Sequence, residues 1–570
     1  MRRGRRPGPV ATLVGMMLTA PPTTAGPSVP AGPPATVPRL ARWPVGAVAA
    51  VVAAAHLAVA WIPGWWFDEA LMLAIGRHHL DWGSVDQPPM APLIAALMDL
   101  IAPGNVLVLR LPAVAATAAT AVLAAMIARE LGGDTRAQTL TAIAQGTGLW
   151  LTLSGHWLTP YTLEPLTWLV IGWLLVRWWR VRDDRLLLAL GVAVGVAAQT
   201  KFQVLLLAAV MLVSVAVLGP RALLRRPRLW AGAGIAAAIA TPTLVWQALH
   251  GWPQLRMGPI VASEAASLYQ GRPGIMIFLL AAAGVMGVPL VLFGLWLLAR
   301  DPALHDLRHL ALTTLVLYVF FSVTLGRPYY LAGLYGLLAA VGAVGLQRRR
   351  EAGHRRLRWV AWPATVLSVA AAGAVLPGSV AAAAPTVGEQ VTQATTRAYD
   401  ALPPERRAHT GVMAESYIYA ALIDARAPEG TLPPAMSSNR SYGWFPPPGD
   451  DVDSVLYVGS TAGELRPWFA EVRPVGEVGS PTDPGAQVWL ATGRLAPWDA
   501  VWPSLRHLDV PVRRYGSAPA VLEPPAQQDD QRREHPEQRH HRADGASEGV
   551  ERRGGEQGVH APEVIVGPCG

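Results

Sequence analysis

Charged side chains are sparse between Pro44 and Pro377, so the places where they gather are where chemistry is sought. The first is the loop at 63–106. It carries Trp65-Trp66-Phe67-Asp68-Glu69-Ala70, then Arg77-His78-His79, then Asp86-Gln87-Pro88-Pro89. Carboxylates near a bilayer are costly and mark function when they occur there. Asp68 and Asp86 bracket about five turns of potential helix, and the paired prolines would stop a helix and fix the approach of Asp86. A second group, Ser154–Glu164, places His156, Tyr161 and Glu164 at a helix-hairpin tip. A third is Gln199-Thr200-Lys201-Phe202-Gln203, and Lys201 is the sole lysine among 47 basic residues. His250–Arg256 opens another loop, and Gly326-Arg327-Pro328-Tyr329-Tyr330 forms a tight turn with one charge.

These types suit one chemistry. A carboxylate within hydrogen-bond reach can activate a neutral hydroxyl. Lysine and arginine can stabilise a departing phosphate, arginine by a bidentate grip. Aromatic rings can face a sugar or a lipid chain. The chain has no nucleotide-binding glycine loop on a strand, which turns attention to a lipid-linked activated donor. Plainer readings stand beside each group: carboxylates solvating a loop, a histidine at a wet tip, a lysine snorkelling to the interface, an arginine pointing to water.

The elements that must position these residues follow from hydropathy. Of 570 residues, 52% are hydrophobic and 15% charged, against about 25% charged in a soluble domain. Mean hydropathy is +0.30. Spans of roughly 20 apolar residues are expected near 44–62, 107–128, 138–154, 162–178, 186–200, 202–219, 229–249, 274–299, 309–325, 329–347 and 358–377. The net charge of +8 is not a nucleic-acid footprint. The arginines cluster in alternate loops, Arg129–Arg136, Arg177–Arg185, Arg221–Arg228, Arg300–Arg308 and Arg348–Arg358. By the positive-inside rule those loops and the N-terminus are cytoplasmic. About eleven spans then place the C-terminal region, and the charged groups above, on the extracytoplasmic side of the plasma membrane.

Four segments are expected. Residues 1–43, rich in Pro and Gly, form a disordered cytoplasmic tail; the twin arginines before Val10–Ala20 resemble an export signal only faintly. Residues 44–377 form the membrane domain. Residues 378–516 form a small α/β domain, with strands at Ser454–Gly459 and Gln487–Thr492 and helices at Thr392–Leu402 and Glu415–Ala425. Residues 517–570 form a disordered tail, in which His540-His541 reads as solvated. The single cysteine, Cys569, allows no intramolecular disulfide.

At these residues the sequence resembles the family 39 glycosyltransferases of the GT-C fold, which include protein O-mannosyltransferases and lipid A aminoarabinose transferases. The matching segments are WWFDEALMLAIGRHHLDWGSVDQPPMAPLIA, RLPAVAATAATAVLAAMIARELGG, TPYTLEPLTW, GVAAQTKFQVLLL, LVWQALHGWPQL and GRPYYLAGLYGLLAAVGAVGL, in order over roughly 44–347. ALPPERR, SSNRSYGWFPPPG and PSLRHLD resemble the soluble extension of a bacterial branch.

The resemblance implies an all-α polytopic, GT-C-like membrane protein with a small C-terminal α/β extracytoplasmic domain. It implies transfer of a sugar from a polyprenyl-phosphate donor to a protein, lipid or glycan acceptor. It makes Asp68 the catalytic base with Glu69 beside it, and Asp86 a support for the acceptor or a cation. Lys201, Arg327, Tyr329 and Tyr330 match positions that hold the lipid phosphate. His156, Glu164 and Arg256 are candidates for acceptor contact or support. Gln87 stands where many relatives carry a basic residue or His, and Glu164 where close relatives have Asp. The resemblance fixes no cofactor, and a divalent cation stays open, with His78, His79 and His156 as available ligands or as residues that merely sit at the interface. A transporter or flippase of lipid-linked sugars, or a silent binding protein, is the rival. A transporter would favour internal repeats and midplane charges, whereas this chain shows no repeat and gathers its charges at one mouth.

Overall fold

The computed structural model describes residues 37–353, 358–383, 386–428, 430–480 and 483–510. Most of the N-terminal tail, the 517–570 tail, His540-His541 and Cys569 lie outside them. All eleven apolar segments fall on helices. The chain enters through α1 (Arg42–Ala60), and the loop at 63–106 folds into α2 (Phe67–His78) and α3 (Met90–Ile101). There follow α4 (Val106–Glu130), α5 (Thr135–Gly146), α6 (Leu149–Ser154), α7 (Pro160–Val181), α8 (Arg185–Thr200), α9 (Gln203–Leu218) and α10 (Pro227–Leu249). The bundle ends with α11 (Pro253–Leu268), α12 (Gly271–Ala281), α13 (Gly284–Arg300), α14 (Arg308–Val323), α15 (Ala332–Glu351) and α16 (Arg358–Ala382).

Two expected spans are broken. Segment 138–154 divides into α5 and α6 at Thr147-Gly148, and 274–299 bends by 92° between α12 and α13. The breaks lean on each other: the Trp150 amide donates to the Ala282 carbonyl at 3.3 Å. Gly284 has φ +79°, and a Cβ there would stand 2.7 Å from the Thr147 carbonyl oxygen, so glycine is required at this approach. Beside the breaks, Leu149, Gly284, Val288 and Ala371 line an apolar cavity of about 280 Å³. The helix expected to run from Asp68 towards Asp86 is also shorter. It ends at His78, and Asp86 sits in the turn before Pro88-Pro89.

Among the described residues, five helices are long and apolar enough to cross a membrane, and six counting the bent pair. Large side chains on their flanks are exposed, Val51, Leu249, Val319, Val323 and Leu367 among them, as suits surfaces solvated by lipid. The arginine-rich loops share one end of the bundle. Glu130 takes Arg177 at 3.0 Å and Arg180 at 2.5 Å. Asp306 takes Arg182 at 2.9 Å, Asp184 takes Arg226 at 3.5 Å and Asp301 takes Arg348 at 2.9 Å. That grouping is the one the arginine pattern requires.

After α16 the chain forms α17 (Thr386–Asp400) and α18 (Pro404–Arg407), then a five-stranded sheet of order β2-β1-β3-β5-β4. β1 (Thr410–Ala414) runs parallel to β2 (Ala435–Ser437) and β3 (Ser454–Gly459). β5 (Gln487–Arg494) runs antiparallel to β3, with Val455 opposite Ala491, and β4 (Phe469–Glu477) closes that side antiparallel to β5. The expected strands fall on β3 and β5. The expected helices fall on α17 and on α19 (Tyr417–Arg426), which leaves the carboxyl end of β1. The turn after β2 opens a short helix, α20 (Arg440–Gly443), and α21 (Trp498–Leu505) follows β5. The carboxyl ends of β1 and β2 face the bundle at the end opposite the arginine loops. Crevices outside such strand ends are where open α/β sheets bind ligands.

Candidate active site

The turn from α1 to α2 is pinned before any chemistry is placed on it. Arg110, on α4 and 2% exposed, donates to the carbonyls of Ala60 at 3.0 Å and Gly64 at 2.8 Å, and forms an ion pair with Glu69. Glu69 also accepts the Trp66 amide at 3.4 Å, which caps α2. Asp68 therefore enters the first helical turn with its backbone fixed, where free amides favour a carboxylate. Its neighbour Glu69 is wholly buried and committed to Arg110. The structure does not bring Glu69 out beside Asp68, because the α2 helix turns successive side chains to different faces.

Asp68 meets two tyrosines. The Tyr161 hydroxyl donates to Oδ2 at 3.2 Å, and the Tyr417 hydroxyl, from α19, lies 3.5 Å from Oδ1. Tyr161 in turn accepts from the Trp66 indole, and Trp66 stacks on Trp157 with centroids 4.3 Å apart. Burial, and next the negative charge of Asp86, push the Asp68 carboxyl up to about 7; Arg440, Tyr161 and Arg327 oppose the rise. Asp86 is held by its own turn, in which the Ser84 amide donates to the Gln87 carbonyl at 2.9 Å. Its Oδ1 accepts from Ser441 of the C-terminal domain at 3.0 Å.

Beside the carboxylates stands a cationic, aromatic wall. Lys201, at the break between α8 and α9, puts Nζ 4.4 Å from the Tyr329 ring centroid and 4.8 Å from that of Tyr330. Glu164 lies 3.6 Å away, too far for a hydrogen bond, and Lys201 Nζ and Glu164 Oε1 have no such partner among the described residues. Arg327 follows Leu325, held at φ +54°, and is 1% exposed. Its Nη2 pairs with Glu264 of α11, while Nη1 has no hydrogen-bond partner among the described residues. Arg440, at φ +46° and 4% exposed, pairs with the other oxygen of Glu264. Left-handed backbone at non-glycine residues costs energy and clusters at functional sites.

The cluster thus unites Asp68, Asp86, Lys201, Glu164, Arg327, Tyr329 and Tyr330. Besides Glu69, two expected members stand apart. His156 is neither at a wet tip nor beside Asp68; it is buried behind Trp157, with Nδ1 3.4 Å from His56 Nδ1. Arg256 is exposed on α11, and Glu264, two turns on, reaches the cluster instead. His79 stacks on Phe445 at 4.0 Å. Among the described residues no group of three or more His, Cys, Asp or Glu is placed to hold a metal ion. Sequence reasoning did not single out Arg110, Glu264, Tyr417, Arg440 or Ser441 as site residues. The only signals were that Arg110 opens the RLPAVAATAATAVLAAMIARELGG segment and that Arg440 and Ser441 lie inside the SSNRSYG segment.

Residues 86–246 match the family model described as dolichyl-phosphate-mannose-protein mannosyltransferase. No curated protein matches. Among solved structures the chain is similar to ArnT from Cupriavidus metallidurans in the apo state, at 16% identity and TM-score 0.52, over 81% of this chain and 98% of that one. It is also similar to ArnT bound to undecaprenyl phosphate, at 15% identity and TM-score 0.51, over 78% of this chain and 97% of that one. The oligosaccharyltransferase of Archaeoglobus fulgidus matches more distantly, at 12% identity and TM-score 0.43, over 67% of this chain and 61% of that one. The chain therefore has the fold of ArnT, a GT-C fold, and over residues 86–246 is similar to the mannosyltransferase family.

Proposed function

We propose that this protein is a membrane glycosyltransferase that moves a sugar from a polyprenyl-phosphate donor to an acceptor on the extracytoplasmic face of the plasma membrane. One observation carries the reading: a buried carboxylate, Asp68, shares a site with two buried cations, Lys201 and Arg327, whose Nζ and Nη1 lack hydrogen-bond partners among the described residues. Buried donors are ordinarily satisfied, and phosphate oxygens are the acceptors this pair suits. The undecaprenyl phosphate held by the similar ArnT structure supports the same ligand class. Arginine loops in the cytoplasm, with about eleven crossings, would put the cluster and the C-terminal domain outside.

The acceptor, a hydroxyl of a protein, lipid or glycan, attacks the anomeric carbon. A bond from its oxygen to that carbon forms as the bond from the carbon to the phosphate oxygen breaks, with inversion. The acceptor proton passes to Asp68, and the phosphate leaves with the bonding electron pair. Lys201 and Arg327 meet the charge that develops there, in a buried site walled by the rings of Tyr161, Tyr329 and Tyr330. Tyr161 and Tyr417 orient the Asp68 carboxylate, and Asp86 keeps it basic enough to serve near neutral pH.

The test is transfer of radiolabel from polyprenyl-phosphate mannose, glucose or arabinose to a membrane extract. Wild type should transfer from one donor, and the labelled product identifies the acceptor. Asp68→Asn, with an unchanged thermal profile, should lose transfer by about 10²–10⁴-fold. Normal turnover by that variant would sink the assignment of the base.

A further inference from the structure

Glu264 lies between two buried arginines that come from different parts of the chain, the helical bundle and the C-terminal domain. Arg327 approaches one of its oxygens from the turn before α15, and Arg440 approaches the other from the turn after β2. The side chains of all three are at most 7% exposed. One carboxylate cannot neutralise two guanidinium groups, and Arg327 Nη1 still lacks a hydrogen-bond partner among the described residues. Two converging arginines are a geometry that phosphate fills with more oxygens and more charge than a carboxylate offers.

The arginines and the glutamate are held differently. Arg440 is tied to its own domain: its amide donates to the His507 carbonyl at 2.9 Å and its Nε to that of Leu508 at 3.3 Å. Arg327 sits in a turn closed by the Gly326 amide on the Phe321 carbonyl at 2.8 Å. Glu264 rides α11, whose buried residues are Pro253, Met257, Glu264 and Ala265. Both ends of α11 are left-handed turns, Gly251-Trp252 at φ +75° and +55° and Gln270-Gly271 at +58° and +76°. α11 is thus a helix with few buried residues between two left-handed corners.

We propose that Glu264 holds the place of the donor phosphate: the anion site is built jointly by Arg327 of the bundle and Arg440 of the C-terminal domain, and the polyprenyl phosphate displaces the Glu264 carboxylate from between them. This rests on the lipid-phosphate reading above and extends it, making Arg440 a phosphate ligand contributed by the soluble domain. No covalent step is involved.

The experiment measures binding of undecaprenyl phosphate to the full chain in detergent. Glu264→Gln, which removes the competing charge, should bind about tenfold more tightly than wild type, and Arg440→Gln about tenfold more weakly. Equal or weaker binding by Glu264→Gln overturns the proposal, and unchanged affinity in Arg440→Gln overturns the role of Arg440. Absence of binding by wild type would instead overturn the lipid-phosphate reading beneath it. Should Glu264→Gln fail to fold, wild type alone decides. Carbodiimide labelling of Glu264, read by mass spectrometry, should rise when undecaprenyl phosphate is added, and unchanged labelling overturns the proposal.

Discussion

The two ends of the helical bundle use the same residues to opposite effect. At the arginine-loop end, arginines and carboxylates meet in half-exposed pairs such as Arg182 with Asp306 and Arg348 with Asp301. At the other end Lys201, Arg327 and Arg440 are buried among Asp68, Asp86, Glu164 and Glu264, yet Lys201 Nζ and Arg327 Nη1 have no hydrogen-bond partner among the described residues. Ion pairs open to water are saturated by water and contribute little. Buried charges left short of partners are costly unless another group completes them. The first end reads as topology, the second as the site proposed for the donor phosphate.

The contrast can be broken most severely at the pair that belongs to neither class. Arg110 and Glu69 are buried and mutually complete, so Arg110→Met strands a carboxylate in the core. The cost should be about 3–5 kcal/mol, read as a large fall in the detergent melting temperature. A melt within a degree or two of wild type would mean the pair is not what holds the turn. Lys201→Met probes the second end. Transfer should drop about 10²-fold, the scale of one lost charge-stabilising donor; the melt should also fall, because Glu164 is left buried without the cation 3.6 Å from it, so transfer is compared at a temperature where both proteins are folded.

A milder probe is pH. The Asp68 carboxyl is raised to about 7 by burial and by Asp86, and only its ionised form accepts a proton. Transfer should therefore be full above that value and fall towards tenfold per unit below it; Asp86→Asn, removing one of the causes, should move the fall to lower pH. A flat profile from pH 5 to 8 would deny Asp68 the role of base. The smallest effect belongs to the other end: Arg182→Ala should cost less than about 1 kcal/mol and leave transfer alone. A loss of transfer there would erase the distinction between the two ends.

Much of this was readable beforehand because a charge in an apolar chain is conspicuous. Asp68, Asp86, Glu164, Lys201 and Arg327 announced themselves that way, and the apolar segments all became helices. The break at Thr147-Gly148 did not show, since no proline interrupts α5 and α6 and hydropathy runs through it. Glu264 and Arg440 were not singled out for a different reason. They are 176 residues apart in the chain, and each sits in polar sequence where one more charge carries no signal. Their meaning arises only when the soluble domain comes down on the bundle. His156 misled in the other direction, since a histidine at a hairpin tip looks wet until the packing of Trp157 is known.

The paired interruptions near Gly284 have a mechanical consequence. The backbone tie from Trp150 to Ala282 links α6 to the 92° bend, and Trp150 stacks on Tyr329 with centroids 4.2 Å apart. Tyr329 is the ring over which Lys201 sits. Gly284, which touches no charged group of the cluster, thereby stands at the far arm of a lever whose near arm is the ammonium group.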